Sequence, residues 1–219
     1  MLELGFMQRA LVACTVIAAV APLVGAFLVQ RRQALIGDGM GHVAFAGVGL
    51  ALLVGVHPLV GALGLTAAAA LALVRMSSRR GGGELSLALL FYGGISLGFL
   101  LASRAGGGQT AVVGLLFGSP LNLAWADVAA VLALAGAVAL VVGVTYRQLV
   151  AMAFDEPSAR VAGVPTRALT TALTLLVALT VVAGMTTVGL LLISALMVVP
   201  VAAAAQLATS HRGTLGGAA

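Results

Sequence analysis

Long uncharged apolar stretches separated by short polar segments dominate the pattern of the chain. A helix needs roughly 20 apolar residues to cross about 30 Å of hydrocarbon. Five uncharged stretches are at least about this long. Two of them, Val43 to Val74 and Ala168 to Ser210, are long enough to supply two spans each. Their breaks fall at His57-Pro58 and at residues 183–187. The pattern predicts seven spans, over residues 10–29, 33–56, 58–74, 85–102, 128–146, 168–182 and 187–208.

The segment between the fourth and fifth spans, residues 105–127, does not fit a span. It is rich in glycine and carries Pro120 and Asn122. Irregular backbone at membrane depth must be buried in protein or line a cavity. A re-entrant segment and an ordinary loop both remain open for it, and Trp125 near its end suits an interfacial anchor.

Residues 147–167 form the one long polar connection at the other end of the predicted bundle. Pro157 can open a short helix, acidic residues suit its N-terminus and Gly163 suits its end. Such a helix could dock a soluble partner or could simply connect two spans. The prediction is an all-α polytopic membrane protein, with residues 1–219 as a single transmembrane domain and a short cytoplasmic helix.

Composition supports this fold class, because 62% of the 219 residues are hydrophobic and only 8% are charged. Soluble domains carry about 25% charged residues. The net charge of +5 comes from arginine, since the chain has no lysine, and no arginine cluster has interleaved aromatic residues. These features argue against nucleic acid as a partner, and a single cysteine, Cys14, excludes a disulfide within the chain.

The placement of the arginines predicts the orientation of the chain. Cytoplasmic loops of membrane proteins carry an excess of Lys and Arg. With the N-terminus outside and the C-terminus in the cytoplasm, nine arginines fall inside and two outside; the opposite orientation inverts that bias. The inner set is Arg31, Arg32, Arg75, Arg79, Arg80, Arg147, Arg160, Arg167 and Arg212, and the outer set is Arg9 and Arg104.

Two ionisable residues lie together inside the second predicted span, in "LIGDGMGHVAF". Asp38 and His42 are four residues apart and therefore share one helix face. Ionisable groups within a membrane are costly and usually functional. A carboxylate and a neutral imidazole both bind Zn²⁺ or Mn²⁺, so a metal pathway is favoured over a structural pair. Gly37, Gly39 and Gly41 weaken the helix here, as a hinge or as close-packing positions.

Catalytic signatures are poorly represented in the chain. A nucleotide-binding P-loop requires a lysine beside its glycines, and the chain has none. It also lacks an HExxH motif and a plausible Ser–His or Cys–His group with an orienting acid. We therefore expect a protein that is not an enzyme, holds no permanent cofactor and does not bind ATP through a P-loop of its own.

Four segments, in order along nearly the whole chain, resemble the membrane permease subunit of ABC-type zinc and manganese importers. The segment around "ALIGDGMGHVAF" is similar to the family's Gly-Asp-Ala-x-Ser-His segment, and "LLFGSPLNLAWADV" is similar to its central loop. "AFDEPSARVAGVP" resembles its coupling segment, and "TVVAGMTTVGLLLISALMVVPVAAA" resembles its late signature ending in a proline. Gly41 stands where the family commonly has Ser, and Ala46 where it commonly has Pro.

The resemblance implies that Asp38 and His42 line the route of a transported Zn²⁺ or Mn²⁺ ion. It further implies a homodimer in the plasma membrane, a cytoplasmic ATPase that binds the ATP, and an extracytoplasmic metal-binding protein. The family usually continues for one or two more spans, so it implies a shortened C-terminus. The residues implied to contact the ATPase lie between 154 and 165 and are Phe154, Asp155, Glu156, Ala162, Gly163 and Pro165.

Other functions compete with this one. A permease for a metal chelate would need a wide pathway and would not need the Asp38–His42 pair. A proton-coupled secondary transporter could relay protons through the same pair and would need no ATPase. A truncated, non-transporting membrane subunit is the third alternative.

Overall fold

The fold of the chain is a bundle of antiparallel helices. The computed structural model describes residues 5–77, 82–105, 114, 116–119, 123–207 and 211–218. Seven helices in these ranges are long and apolar enough to cross a membrane, which confirms the predicted all-α, multi-span fold. In chain order the helices are α1 (Gly5–Gln30), α2 (Leu35–Val54), α3 (Pro58–Ser77), α4 (Gly82–Arg104), α5 (Trp125–Phe154), the short α6 (Glu156–Val161), α7 (Thr166–Met185), α8 (Leu190–Leu207) and the short α9 (His211–Ala218).

Several helix boundaries differ from the predicted ones by a few residues, and two of the differences matter for the candidate site. Helix α2 begins at Leu35 rather than near residue 33, because Arg32 adopts a left-handed conformation with φ of 55° and Gln33 still belongs to the turn after α1. Helix α5 continues through residues 147–154, since nothing there breaks a helix, and it ends where Asp155 becomes extended. Residues 147–167 are therefore mostly helical rather than a loop.

The central loop, residues 105–127, falls largely outside the described residues, so its re-entrant alternative stays a prediction. Two of its described residues, Phe117 and Gly118, lie against the turn between α7 and α8 at Gly189. Gly118 and Gly189 both have positive φ angles, of 75° and 88°, which glycine adopts without strain. Trp125 begins α5 and is exposed, as an interfacial anchor would be.

Helix α2 is the most enclosed of the seven long helices. Within the chain, 78% of its apolar window is buried, against 22% for α3 and for α4. It packs mainly against α3 and α4, and its other side lies against α7 and α8. A polar side chain on α2 is therefore surrounded by other helices rather than by lipid on most sides.

Close packing around α2 depends on glycines. A Cβ atom at Gly47 would lie 2.5 Å from the carbonyl oxygen of Gly61 on α3. A Cβ atom at Gly94 on α4 would lie 2.9 Å from the backbone nitrogen of Val43. Small residues let helices in lipid approach closely enough for extensive van der Waals contact. Gly94 therefore permits the close contact between α2 and α4.

The Gly47–Gly61 contact generates a stability prediction. Gly47→Ala should lower the free energy of unfolding by roughly 1–3 kcal/mol, because the added methyl group forces α2 away from α3. Thermal denaturation of the purified protein in detergent measures the effect. The matched control is Gly143→Ala on α5, where a Cβ atom would meet nothing within 4 Å. Equal stability of the two variants would contradict the importance of the glycine contact.

Candidate functional site

The candidate site lies near the start of α2, at the end of the bundle that also carries α6. We call this the α6 end; it comprises the α1–α2 turn, residues 31–34, and α6 itself. Asp38 follows the first residue of α2, Leu35, by about 4.5 Å, and His42 lies about 6 Å further along the axis. The later start of α2 makes both positions shallower than the sequence predicted.

Asp38 and His42 face each other without being locked together. Nε2 of His42 lies 3.8 Å from Oδ1 of Asp38, which is longer than a hydrogen bond. The hydroxyl of Ser194, on α8, donates a long hydrogen bond of 3.4 Å to the same carboxylate oxygen. The carboxylate and the imidazole therefore keep electron pairs that a cation could accept.

The imidazole of His42 is held by helix α4. Its ring packs edge-on against Phe91, with 4.7 Å between the ring centroids. A Cβ atom at Gly94 would lie 3.1 Å from Cβ of His42, so the glycine allows α4 to press against this turn of α2. These contacts fix the plane of the ring while its Nε2 edge faces Asp38.

The two side chains differ in exposure. The side chain of His42 is 11% exposed, whereas that of Asp38 is 31% exposed. A cavity of about 300 Å³ lies nearby, between the start of α2 and α4, and neither Asp38 nor His42 lines it. It begins at Leu35, one turn before Asp38, and extends to Phe91, the ring that packs on His42. The carboxylate is thus the accessible member of the pair.

This arrangement suits transient cation binding better than permanent binding. A carboxylate oxygen and an imidazole nitrogen are good ligands for Zn²⁺ and Mn²⁺. Among the described residues, no group of three or more His, Cys, Asp or Glu side chains could hold a metal ion. Two such ligands leave most of the coordination shell to water, to a hydroxyl such as that of Ser194, or to another chain.

The glycines of the site serve packing in this structure, and α2 is continuous through them. A Cβ atom at Gly39 would lie 2.9 Å from Leu90 of α4, and one at Gly41 would lie 3.0 Å from Leu190 of α8. The serine that the related family commonly has at position 41 would therefore press on Leu190. Of the two explanations for these glycines, the contacts favour close packing.

The short helix α6 has well-defined ends. Asp155 caps its N-terminus, because its carboxylate accepts hydrogen bonds from the backbone N–H and the hydroxyl of Ser158. At the other end, Gly163 has a φ of 82°, and the N–H groups of Gly163 and Val164 donate to the carbonyls of Arg160 and Ala159. This is a Schellman termination. The predicted helix opened by Asp155 and Pro157 and ended by Gly163 is confirmed.

The surroundings of Asp155 favour its ionised form. The hydrogen bonds from Ser158 lower the pKa of Asp155 below its ordinary value of 3.8. The folded state therefore gains stability from this carboxylate above that ordinary value and loses it as the pH falls through the lowered pKa.

The six residues implied to contact an ATPase lie within α6 or next to its ends. Five of them are exposed, and Glu156 is half-buried because it contacts Arg31 and Arg160. Val161, which ends α6, is 91% exposed and was not among the predicted contacts. A depression of about 430 Å³ adjoins the end of α6, lined in part by Arg160 and Arg167. The exposed set is Phe154, Asp155, Ala162, Gly163 and Pro165.

Two other titratable residues lie at the opposite end of the bundle. The carboxylate of Asp127 accepts a hydrogen bond of 2.9 Å from the N–H of Ala124 and thereby caps the start of α5. His57 is exposed in the α2–α3 turn, and its Nδ1 accepts from the N–H of Leu59. Both residues line a cavity of about 310 Å³ that is otherwise mostly apolar.

Two residues with contacts at or near the site, Ser194 and Arg31, were not predicted from the sequence. Ser194 is the one hydroxyl residue in the run from Leu190 to Gln206, and a hydroxyl in so apolar a span was the available signal. Arg31 was interpreted only as an orientation signal. Its side chain is instead 10% exposed and forms an ion pair with Glu156, with 2.8 Å between Nη2 and Oε2.

The chain is similar to known membrane transport proteins. A family profile described as "ABC 3 transport family" matches residues 3–219. A "Probable metal transport system membrane protein" of Treponema pallidum is 34% identical, over 98% of this chain and 81% of its own length. The "Manganese transport system membrane protein MntC" of Halalkalibacterium halodurans is 30% identical, over 93% and 70%.

One further relative and one solved structure are informative. The "Chelated iron transport system membrane protein YfeD" of Yersinia pestis is 32% identical, over 89% of this chain and 66% of its own length. The structure titled "PsaBC from Streptococcus pneumoniae in complex with Fab" superposes with a TM-score of 0.88 at 27% identity. That match covers 99% of this chain and 79% of the other.

The geometry of the pair predicts how metal binding responds to substitution. Asp38→Asn should weaken Mn²⁺ or Zn²⁺ binding by more than about tenfold, because the amide removes the charged ligand while keeping its shape. Isothermal titration calorimetry on the purified chain in detergent measures the affinity. Asp155→Asn, which removes a carboxylate from exposed α6, should bind metal like the unmodified protein. Unchanged affinity in Asp38→Asn would exclude this carboxylate as a ligand.

Proposed function

The chain belongs to the ABC 3 transport family, and from this premise we propose that it is the membrane subunit of an ATP-driven importer of divalent metal ions, zinc or manganese. The observation that carries the proposal is the Asp38–His42 pair on α2, the most enclosed of the long helices. Charged side chains inside a membrane bundle mark ion routes. In this proposal the pair lines the path of the ion.

The loose geometry of the pair supports transport rather than storage. An ion that must leave again cannot be held by a complete set of strong protein ligands. The 3.8 Å gap between Nε2 of His42 and Oδ1 of Asp38 leaves both free to bind and release a cation. Two relatives are named for manganese transport and for chelated iron transport, and both names are consistent with a divalent transition metal.

We further propose that a second copy of the chain completes the metal site. The side chain of Asp38 remains 31% exposed. A homodimer could bring a second pair, or other oxygen atoms, to the open side of this carboxylate. Water and the partner copy would then complete the coordination of the passing ion.

Energy would come from a separate ATPase that docks at the α6 end. The chain has no lysine with which to build a nucleotide-binding P-loop. Helix α6 presents the exposed apolar side chain of Val161 beside a depression lined by Arg160 and Arg167. A rigid, capped helix with an apolar tip and a basic border is suited to contact an ATPase subunit.

This proposal also gives the chain its orientation in the plasma membrane. Arg31, Arg75, Arg160 and Arg167 lie at or near the α6 end, because consecutive long helices alternate in direction. The positive-inside rule places this end in the cytoplasm and the N-terminus outside. The cavity lined by His57 and Asp127 then faces outward, where an extracytoplasmic binding protein would deliver the ion.

Whole-cell metal content tests the proposed function. The host would lack its own zinc and manganese importers and would express the chain with an ATPase and a binding protein from a metal importer of the same family. The unmodified chain should raise zinc or manganese, and Asp38→Ala or His42→Ala should abolish the rise, because each removes a ligand from the path. Mass spectrometry measures the metal at matched membrane abundance of each variant.

Two controls make that experiment decisive. Cys14→Ala removes a metal-binding side chain from α1, away from the pair, and should leave uptake unchanged. Uptake that persists with a hydrolysis-deficient ATPase but collapses with a protonophore would instead support a proton-coupled transporter. Full uptake by the Asp38 and His42 variants would show that the pair is structural.

Docking at α6 has its own test. Val161→Asp should abolish co-purification of the ATPase, because it places a charge on the exposed apolar tip of α6. Affinity purification from detergent-solubilised membranes, with quantification of both subunits, measures the association. Leu207→Asp is the matched control, since Leu207 is 89% exposed at the end of α8. Equal loss of the ATPase in both variants would argue against a specific contact at Val161.

A further inference from the structure

Arg31 is the first residue after α1, and its side chain joins the α1–α2 turn to three other elements. Nη2 donates to Oε2 of Glu156 on α6 at 2.8 Å. Nη1 donates to Oγ1 of Thr170 on α7 at 3.2 Å and contacts Sδ of Met152 on α5 at the same distance. The planar guanidinium can hold these partners at once because its N–H groups form a rigid fork.

Burial makes these contacts strong. The side chain of Arg31 is only 10% exposed, and desolvation lowers its pKa while the charge of Glu156 opposes that shift. Removing Glu156 would be costly, since the buried charge of Arg31 would lose its acidic partner. Glu156 is also held by Arg160, whose Nη2 lies 3.0 Å from Oε1. Glu156 thereby connects α6 to the α1–α2 turn.

The space beside this network is not fully packed. A small cavity of about 70 Å³ lies between the start of α2 and α7, lined in part by Gln33, Ile36 and Thr170. Helix α6 packs mainly against the end of α5 and the start of α7. The hydrogen bonds of Arg31 are therefore a direct link between α6 and the segment that leads into α2.

The link to α2 is short and stiff. Three residues separate Arg31 from Leu35, the first residue of α2. The turn is closed by hydrogen bonds from the N–H groups of Arg32 and Gln33 to the carbonyls of Val29 and Leu28. Arg32 is held at a φ of 55°, a conformation that few residues other than glycine adopt. A displacement of Arg31 would therefore move the start of α2, about one turn before Asp38.

We propose that Arg31 is a positioning residue that transmits movement of α6 to α2, and so couples the ATPase to the metal path at Asp38 and His42. This inference rests on the proposed function, because it requires an ATPase bound at α6. It assigns the buried Arg31, through its ion pair with Glu156, a mechanical role beyond its contribution to membrane orientation. A purely structural contact would support folding but would not set the amount of metal moved per ATP.

The ratio of metal transported to ATP hydrolysed tests this role. The chain and its ATPase, with the binding protein present, would be reconstituted in liposomes, and both quantities would be measured on the same preparation. Arg31→Gln should retain ATPase binding and hydrolysis, whereas metal transported per ATP should fall by roughly tenfold. Arg31→Lys should recover part of that ratio, because it keeps the charge opposite Glu156 but loses the fork.

Two further variants separate coupling from folding. Thr170→Val removes another acceptor of Arg31 with little change in shape, and it should lower the ratio in the same direction but less. Arg32→Gln is the matched control, since it removes an exposed arginine from the same turn and should leave the ratio unchanged.

Each outcome bears on the inference. An unchanged ratio in both Arg31→Gln and Thr170→Val would overturn it, as would parallel losses of uptake and hydrolysis that follow protein abundance. A ratio lowered equally by Arg32→Gln would also overturn it, because general loss of positive charge would then be the cause. If the ATPase does not associate with the unmodified chain, the proposed function itself fails and the coupling role fails with it.

Discussion

Close packing of α2 against its neighbours is the constraint on which the candidate site depends. Helices in lipid gain little from hydrophobic burial against each other, so van der Waals contact between close backbones holds them together. Gly47 opposite Gly61, and Gly94 opposite Val43, provide that approach. The same approach encloses His42 on α2 and partly encloses Asp38. The residues that build the bundle therefore also create the surroundings of the polar pair.

Much of the fold could be predicted from the sequence, because lipid imposes simple rules. A span must be long, apolar and internally hydrogen-bonded, so uncharged stretches identify the long helices. The ends of helices follow local chemistry instead. Helix α5 passes through Arg147 and ends only where Asp155 caps α6, and the left-handed Arg32 delays the start of α2. Neither feature alters hydropathy, and a hydropathy pattern could not reveal them.

The candidate site was only partly predictable for a similar reason. The shared face of Asp38 and His42 follows from helix geometry alone. The other members of the site come from distant parts of the chain: Ser194 is 156 residues from Asp38, and Phe91 lies on α4. Their approach depends on which helices become neighbours, and one sequence does not contain that information. Arg31 shows the same limit, because its charge suffices for the orientation rule whatever its side chain contacts.

The two charged side chains near the start of α2, Asp38 and Arg31, differ in how tightly they are held. At Asp38, the neighbouring polar atoms lie at 3.4 and 3.8 Å, and the side chain is 31% exposed. At Arg31, the charged contact is 2.8 Å and the side chain is nearly buried. An ion path requires weak ligands that exchange, whereas a connection between a docking helix and that path requires contacts that do not yield. Because both lie within two turns of the same helix start, a small displacement at the rigid group would change the geometry of the loose one.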